Sequence, residues 1–285
     1  LALYRSKDAG GGKFHSYEPQ LHVAAEERRV LEQALRKALS NNELHLNYQP
    51  VVDAGTGQLT GFEALVRWTH PELGVISPMK FIPLAEDARL IAPIGEWVLR
   101  AACTEAAGWP GETRVAVNVS PEQLHNPGFV SIVASALANS GLPAHRLELE
   151  VTESVFLRDD TGAVKVLERI LGLGVRLSLD DFGTGYSSLG YLSRTRFSTI
   201  KIDRSFVVGA AKGVAEAIAI VRAVVVLAQS LGMTTTAEGV ETADQHRMVQ
   251  DLGCTKVQGY YFSRPLPVAE ARALAHRDGH ERAVA

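Results

Sequence analysis

Two adjacent carboxylates, Asp180 and Asp181, close the alternating run Leu177-Ser178-Leu179-Asp180 and lead into a turn with glycines at 183 and 185. The alternation is the period-2 pattern of a half-buried strand. Two acids side by side repel each other, and one or two divalent cations remove that repulsion. Taken alone, an Asp-Asp pair is more often a solvated turn cap. The pattern carries weight because it recurs. Further alternating runs end in Asn118, Glu150, Lys201 with Asp203, Glu238 and Gln258. Glu63 and Arg67, four apart on another run, share one face of their strand. Asn118 and Ser120 oppose Val117 and Val119; Glu148, Glu150 and Thr152 oppose Leu147, Leu149 and Val151. The candidate ligands are Glu, Asp and Asn oxygens with no His or Cys among them, which selects Mg²⁺ or Mn²⁺ over zinc. Carboxylates around two cations, with a lysine beside them, suit phosphodiester hydrolysis: one metal activates water and the other neutralises charge on the transferring phosphoryl group.

The elements that would position these residues alternate along the chain. Leu1 to about Gln20 does not read as a folded unit, because Gly10-Gly11-Gly12 breaks it and Pro19 closes it. Ala24–Leu39 has a helical apolar stripe of Leu31, Leu35, Ala38 and Leu39, stopped by Asn41-Asn42. Leu44–Val52 and Gln58–Trp68 are strands whose connection is too short for a crossover, so they pair antiparallel. Pro78–Trp109 is helical with a break near Pro93. Strands are then expected at 114–119, 146–151, 175–180, 198–202, 234–238 and 256–259, and helices near 128–139, 161–171, 214–231, 243–252 and 268–276, with a short helical turn at 187–192. Six strands and the opening hairpin make eight, the count of a (β/α)₈ barrel of the α/β class, here a modified TIM barrel with one antiparallel strand. In such a barrel chemistry belongs at the C-terminal strand ends, where the polar residues fall.

Composition bounds the alternatives. The chain has 285 residues, 46% of them hydrophobic and 21% charged, which fits a globular domain. A formal net charge of −3 argues against DNA as a partner. Cys103 and Cys254 are too few for a disulfide framework, fit a reducing, cytoplasmic setting and read as packing residues. The most apolar stretch, Ala215–Leu231, carries Glu216, Arg222 and Gln229, so it does not span a bilayer. The chain does not begin with Met, so it reads as a piece of a longer protein with room upstream for a sensor or a membrane anchor.

Glu63-Ala64-Leu65-Val66-Arg67-Trp68 resembles the signature of the EAL-domain family of cyclic di-GMP phosphodiesterases. Its companions follow in order: Tyr48-Gln49-Pro50, Val117-Asn118-Val119-Ser120, Glu150-Val151-Thr152-Glu153, Asp180-Asp181-Phe182-Gly183-Thr184-Gly185-Tyr186, Lys201-Ile202-Asp203, Ala237-Glu238-Gly239-Val240-Glu241 and Gln258-Gly259-Tyr260. The resemblance implies hydrolysis of cyclic di-GMP to linear pGpG with two Mg²⁺ or Mn²⁺ ions. It implies Glu63, Asn118, Glu150 and Asp180 as ligands of one metal, and Asp180, Asp181 and Glu238 as ligands of the other. Lys201, Glu238 and Glu63 are the implied catalytic set, with Lys201 holding the attacking water. Gln49, Leu65, Arg67, Gln258 and Glu241 are the implied substrate contacts, and Glu153 the anchor of the Asp181–Ser188 loop.

Residues 2–10 are similar to the tail of a GGDEF domain. The expected organisation is therefore 1–25 as remnant and linker and 26–285 as the EAL domain, in a protein fused to an upstream GGDEF and sensor region. The resemblance also implies a homodimer. Helix Val214–Leu231 could serve that contact or pack on the barrel, and packing is the preferred reading. Two other readings stand beside the hydrolase: a non-catalytic cyclic di-GMP receptor, and a metal-dependent barrel enzyme of unrelated chemistry.

Overall fold

A computed structural model of the chain describes residues 19–156, 161–183, 192 and 195–284. Its elements fall into two compact units, one drawn from Leu1–His45 and Arg67–Ile91, the other from Leu46–Val66 and Ala92–Ala285.

The larger unit is a closed barrel. Strands β1 (Leu44–Asp53), β2 (Leu59–His70), β4 (Arg114–Asn118), β5 (Leu147–Thr152), β6 (Arg176–Phe182), β7 (Thr199–Ile202), β8 (Thr234–Ala237) and β9 (Lys256–Gln258) follow one another around it. The order is β1-β9-β8-β7-β6-β5-β4-β2, and a β1–β2 pairing closes the ring. From β2 to β9 neighbouring strands run parallel, whereas β1 pairs antiparallel with β9, Val51 opposite Gln258 and Asp53 opposite Lys256. This is the expected modified TIM barrel with one reversed strand.

The alternation works as the sequence suggests, with one inversion of the usual barrel. Val115, Val117, Leu147, Leu149, Leu177, Leu179 and Ile200 are all buried. Residues of the other parity, among them Glu148, Glu150, Ser178, Thr199, Lys201 and Gln258, line internal space. Most TIM barrels fill this lumen with branched apolar side chains; here it is polar, and its contents need partners. Outside, helix α8 (Ala215–Ser230) buries Ala217, Val221, Val224, Val225 and Ala228 and packs on β7 and β8. That supports the packing reading of this segment.

Several boundaries differ from expectation. A helix missed in the sequence, α7 (Arg204–Ala211), follows β7 directly, its start capped by Asp203 Oδ1 accepting from Ser205 N at 2.9 Å. Asp203 is therefore a helix cap. Gly209 in α7 lets this helix approach α8 closely, since an added Cβ would lie 2.9 Å from Ala217 Cβ. The break expected near Pro93 falls earlier, between helices α2 (Pro78–Asp87) and α3 (Ile91–Ala107), where Arg89 takes φ +57°. Pro93 sits in the first turn of α3, where its missing N–H costs no helical bond. Helix α1 (Pro19–Ala38) starts five residues before the expected Ala24, at a proline suited to a first helical position. Strands β3 (Gly74–Ile76) and β10 (Leu266–Pro267) are too short to register as periodic runs. The turn expected at 187–192, Leu192 excepted, and the GGDEF-like residues 2–10 lie outside the described residues.

The smaller unit is organised by Trp68. Its indole is fully buried, packs edge-on to Phe81 at 5.7 Å, and donates from Nε1 to Glu43 Oε2 at 2.9 Å. Asn41 Nδ2 donates to the other Glu43 oxygen at 2.8 Å. These bonds, the indole's first, hold the Glu43 carboxyl below its usual value. Glu43→Ala should destabilise the protein by about 1–3 kcal/mol, because the buried indole N–H loses its acceptor. An unchanged urea midpoint would contradict this. A depressed folded pKa places the Glu43 contribution above the unfolded value of roughly 4.3, and it is lost as pH falls through the lower folded value. Wild type should therefore lose more stability in acid than Glu43→Gln.

Candidate metal centre and active site

Lys201, on β7, is the centre of the C-terminal mouth. Its side chain is 3% exposed, and its ammonium lies 2.7 Å from Glu150 Oε2, 2.7 Å from Glu238 Oε1, 3.3 Å from Asp180 Oδ1 and 3.6 Å from Glu63 Oε2. Strands β2, β5 and β6 and the residue after β8 thus deliver four carboxylates to one amine. Burial alone would push the Lys201 pKa down, but Asp180, Glu150, Glu238 and Glu63 together hold it well above its ordinary value.

One ammonium cannot satisfy four carboxylates, and their protonation reflects this. Burial, opposed by Lys201 and reinforced by Glu63 and Asp180, holds the Glu150 carboxyl well above its usual range. Glu238 is pushed up to about 8 by burial and by Asp180 and Glu63, against the pull of Lys201. Glu63 goes the other way. Burial would raise it, but Lys201 and hydrogen bonds from Gln258 and Asn118 lower it. Those bonds are short, 2.6 Å from Asn118 Nδ2 and 2.6 Å from Gln258 Nε2. Gln258 also donates to Gln49 Oε1 at 3.3 Å, tying the reversed strand β1 to the site. Gly259 fixes the path beyond Gln258: a Cβ there would lie 2.0 Å from the Val240 carbonyl oxygen.

The Asp-Asp pair is built by a strand irregularity. The β6–β7 register shifts between Leu179 and Phe182, and Asp181 takes φ +53°, the left-handed region. Asp181 N donates to Asp180 Oδ1 at 2.9 Å, closing a tight local bend that keeps the two carboxylates within 4.8 Å of each other. Burial, then Asp180 and Asp203, raise the Asp181 carboxyl. Backbone strain of this kind persists only where the surroundings enforce it.

These acids make a cation site. Carboxylate oxygens of Asp180, Asp181 and Glu238 all lie within 4.8 Å of one another. Glu63, Asn118, Glu150 and Asp180 are gathered beside them around Lys201, as the distances above show. The ligand atoms are hard oxygens in excess of the single ammonium, a donor set that fits divalent cations of the Mg²⁺ or Mn²⁺ type.

The other sequence candidates divide. Gln49, Glu63, Asp180, Lys201, Glu238, Glu241 and Gln258 line one open cavity. Leu65 is half-buried on β2, and Arg67 follows two residues later on the same strand. Glu153 begins a 3₁₀ turn, Glu153–Phe156, and neither carboxylate oxygen has a hydrogen-bond partner among the described residues. Most of the loop it was expected to anchor lies outside the described residues. Two further side chains line the cavity: Arg204, paired to Glu241 at 2.9 Å, and Tyr260, whose ring lies 4.5 Å from the Arg264 guanidinium. Tyr260 stands in the Gln258-Gly259-Tyr260 motif but was given no role there. Arg204 opens the helix that the sequence did not reveal. Both cysteines are buried, and burial pushes the Cys103 thiol up to about 12 and that of Cys254 to about 11, as packing residues require.

A polar-cored barrel with one reversed strand and an oxygen-lined cation centre at its C-terminal mouth defines a class of metal-site barrel. The EAL domain family model matches residues 32–265, and the chain belongs to that family. The chain is 42% identical over 276 residues to the Pseudomonas aeruginosa protein MucR, a bifunctional diguanylate cyclase/cyclic di-GMP phosphodiesterase, covering 95% of this chain and 40% of MucR. It is 42% identical over 274 residues to the cyclic di-GMP phosphodiesterase NbdA of the same organism, covering 94% of this chain and 35% of NbdA. A Sinorhizobium fredii protein is 48% identical over 274 residues, which is 96% of this chain and 33% of that one. The chain thus spans about a third of the length of such relatives. A solved MucR phosphodiesterase complex with c-di-GMP superposes with TM-score 0.81 at 44% identity, covering 85% of this chain and 99% of that one.

Asp181→Asn should weaken cation binding, because Asp181 supplies one of three carboxylates whose oxygens lie within 4.8 Å of one another. In a Mn²⁺ titration the variant should lose affinity about tenfold. An unchanged titration would contradict a part for Asp181 in holding a cation.

Proposed function

We propose that this chain is a metal-dependent phosphodiesterase that opens cyclic di-GMP to linear pGpG, using Mg²⁺ or Mn²⁺. The observation that carries the reading is the complete set of carboxylates converging on buried Lys201 beside an open cavity. The names of MucR and NbdA support the substrate class.

The residues divide the work as follows. Glu63, Asn118, Glu150 and Asp180 would hold one cation, and Asp180, Asp181 and Glu238 the other. When bound, the cations would lower the pKa of water and neutralise charge on the phosphodiester. Lys201 keeps its proton at neutral pH, so it acts as a hydrogen-bond donor to the attacking oxygen and not as a base. Proton acceptance falls to a carboxylate of the rim, and Glu238, in contact with Lys201 and lining the cavity, is proposed for it in the ionised form that a bound cation would favour. The water oxygen forms the new bond to phosphorus, the bond from phosphorus to one ribose 3′ oxygen breaks, and that oxygen takes up a proton. The 5′ phosphate stays on the product, as in pGpG. Arg67, Leu65, Gln49, Glu241 and Gln258 are proposed to hold the substrate, and Glu153 to secure the loop after Asp181.

The domain is proposed to run over 26–285, preceded by the end of a GGDEF domain, and to act as a homodimer in the cytoplasm. No helix among the described residues is long and apolar enough to cross a membrane.

The test is turnover. Purified chain with Mg²⁺ should convert cyclic di-GMP to pGpG, and excess chelator should reduce the rate by at least about 10³-fold. Tight binding without turnover would replace the hydrolase by the receptor reading. Turnover unaffected by chelator would remove the metal.

A further inference from the structure

The opposite mouth of the barrel also carries charge, of the other sign. Arg114 opens β4, Arg176 opens β6 and Lys256 opens β9. Each shares the parity of a site residue on its own strand, Asn118, Asp180 and Gln258 respectively, so each side chain belongs to the inward set. Arg114, Lys256, Glu148, Ser178, Thr199 and Thr236 line one open-mouthed cavity that continues along the strands to Glu150, Lys201 and Gln258. Arg176 stands opposite Glu148 in the β5–β6 register, and burial first, with Arg176 adding to it, disfavours the charged forms of both Arg114 and Lys256. Gly61 faces Arg114 and leaves it room; a Cβ there would lie 2.7 Å from the Arg114 carbonyl oxygen.

These groups converge without touching. Among the described residues no side-chain hydrogen bond or ion pair is made by Arg114, Arg176, Lys256 or Glu148, and the buried Nε atoms of both arginines have no acceptor. The Ser178 hydroxyl, on a fully buried residue lining the same cavity, also lacks a partner. The other acids at this end are engaged elsewhere. Asp53 accepts from Gly55 N, Thr56 N and Thr56 Oγ1. Glu112 pairs with His145, and Asp278 accepts from Leu59 N. At this end three cations therefore stand against Glu148, with Glu150 and Lys201 further along the same cavity. Arginine and lysine offer only donors, so what completes the cluster must bring acceptors and negative charge.

We infer that the N-terminal mouth of the barrel binds a small tetrahedral oxyanion of the phosphate type, held by Arg114, Arg176 and Lys256 and hydrogen-bonded from within the barrel by Ser178. The bound anion relieves repulsion among the three cations and so stabilises the fold. The inference does not rest on the proposed hydrolysis, although Lys201, Glu150 and Gln258 of that site line the inner end of the same cavity.

Inorganic phosphate is the probe, added with and without Mg²⁺ at ionic strength matched by NaCl. Thermal unfolding should shift upward saturably, by about 3 °C at ten times the dissociation constant. Arg176→Gln and Lys256→Gln should weaken phosphate at least about tenfold. Glu148→Gln, which removes the one opposing charge, should tighten it, a change of sign that misfolding cannot imitate. Glu63→Ala, at the other mouth, should leave the shift intact. A shift no greater than NaCl gives, one unaltered by Arg176→Gln and Glu148→Gln, or one lost in Glu63→Ala overturns the inference.

Discussion

Glu63→Ala is expected to reduce cyclic di-GMP turnover by at least about 10³-fold, the order seen when an electrostatic group aimed at the transition state is removed. Lys201 and the hydrogen bonds from Gln258 and Asn118 hold the Glu63 carboxyl below its usual value against burial. Asn118 and Gln258 each donate to it at 2.6 Å, and Lys201 lies 3.6 Å away. Its loss removes a proposed metal ligand and also the acceptor that orients Gln258, which reaches back to Gln49 on β1. Glu63→Gln keeps the shape and removes the charge. It should fall nearly as far as the alanine variant if charge is what matters, and should recover substantially if orientation of Gln258 is what matters. Both variants should retain the wild-type far-ultraviolet spectrum. Full turnover in Glu63→Ala would end the proposed mechanism.

Much of this site was legible because barrel strands impose a strict alternation. Once Val117, Leu149 and Leu179 are assigned outward, Asn118, Glu150 and Asp180 must point in, and strand order brings them together. Lys201 was legible as a neighbour of the carboxylates, but not as the ammonium that lies among four of them. What could not be read was local and three-dimensional. The left-handed turn at Asp181 has no signature, since aspartate seldom adopts it and its neighbours show only a strand end. Helix α7 was hidden because its eight residues, with Gly209 inside and Gly213 after it, look like a connection. The basic lower mouth went unnoticed because Arg114, Arg176 and Lys256 each stand alone at a strand start, 62 and 80 residues apart along the chain. They form a group only once the barrel closes.

Lys201→Met should separate the structural from the chemical role of the cluster. In the metal-free protein the ammonium is the only cation within 4 Å of Glu63, Glu150, Asp180 and Glu238 among the described residues. Breaking a buried ion cluster by removing one partner destabilises by about 3–5 kcal/mol, so the variant should unfold at markedly lower urea in chelator. The pH dependence has a definite sign. Glu238 already titrates at about 8, and loss of Lys201 removes the one charge that lowers it. An acid whose folded pKa is raised binds more protons folded than unfolded, so stability falls as pH rises from roughly 4.3, its unfolded value, through the folded value. Metal-free Lys201→Met should thus be most stable in mild acid and lose stability towards pH 8 and beyond more steeply than wild type. Mg²⁺ should return much of that stability, because divalent cations supply the missing positive charge. It should not return turnover, because the donor that holds the attacking oxygen is gone. If Mg²⁺ restored turnover along with stability, Lys201 would be a structural counter-ion alone, and the proposed role for its ammonium in the reaction would be withdrawn.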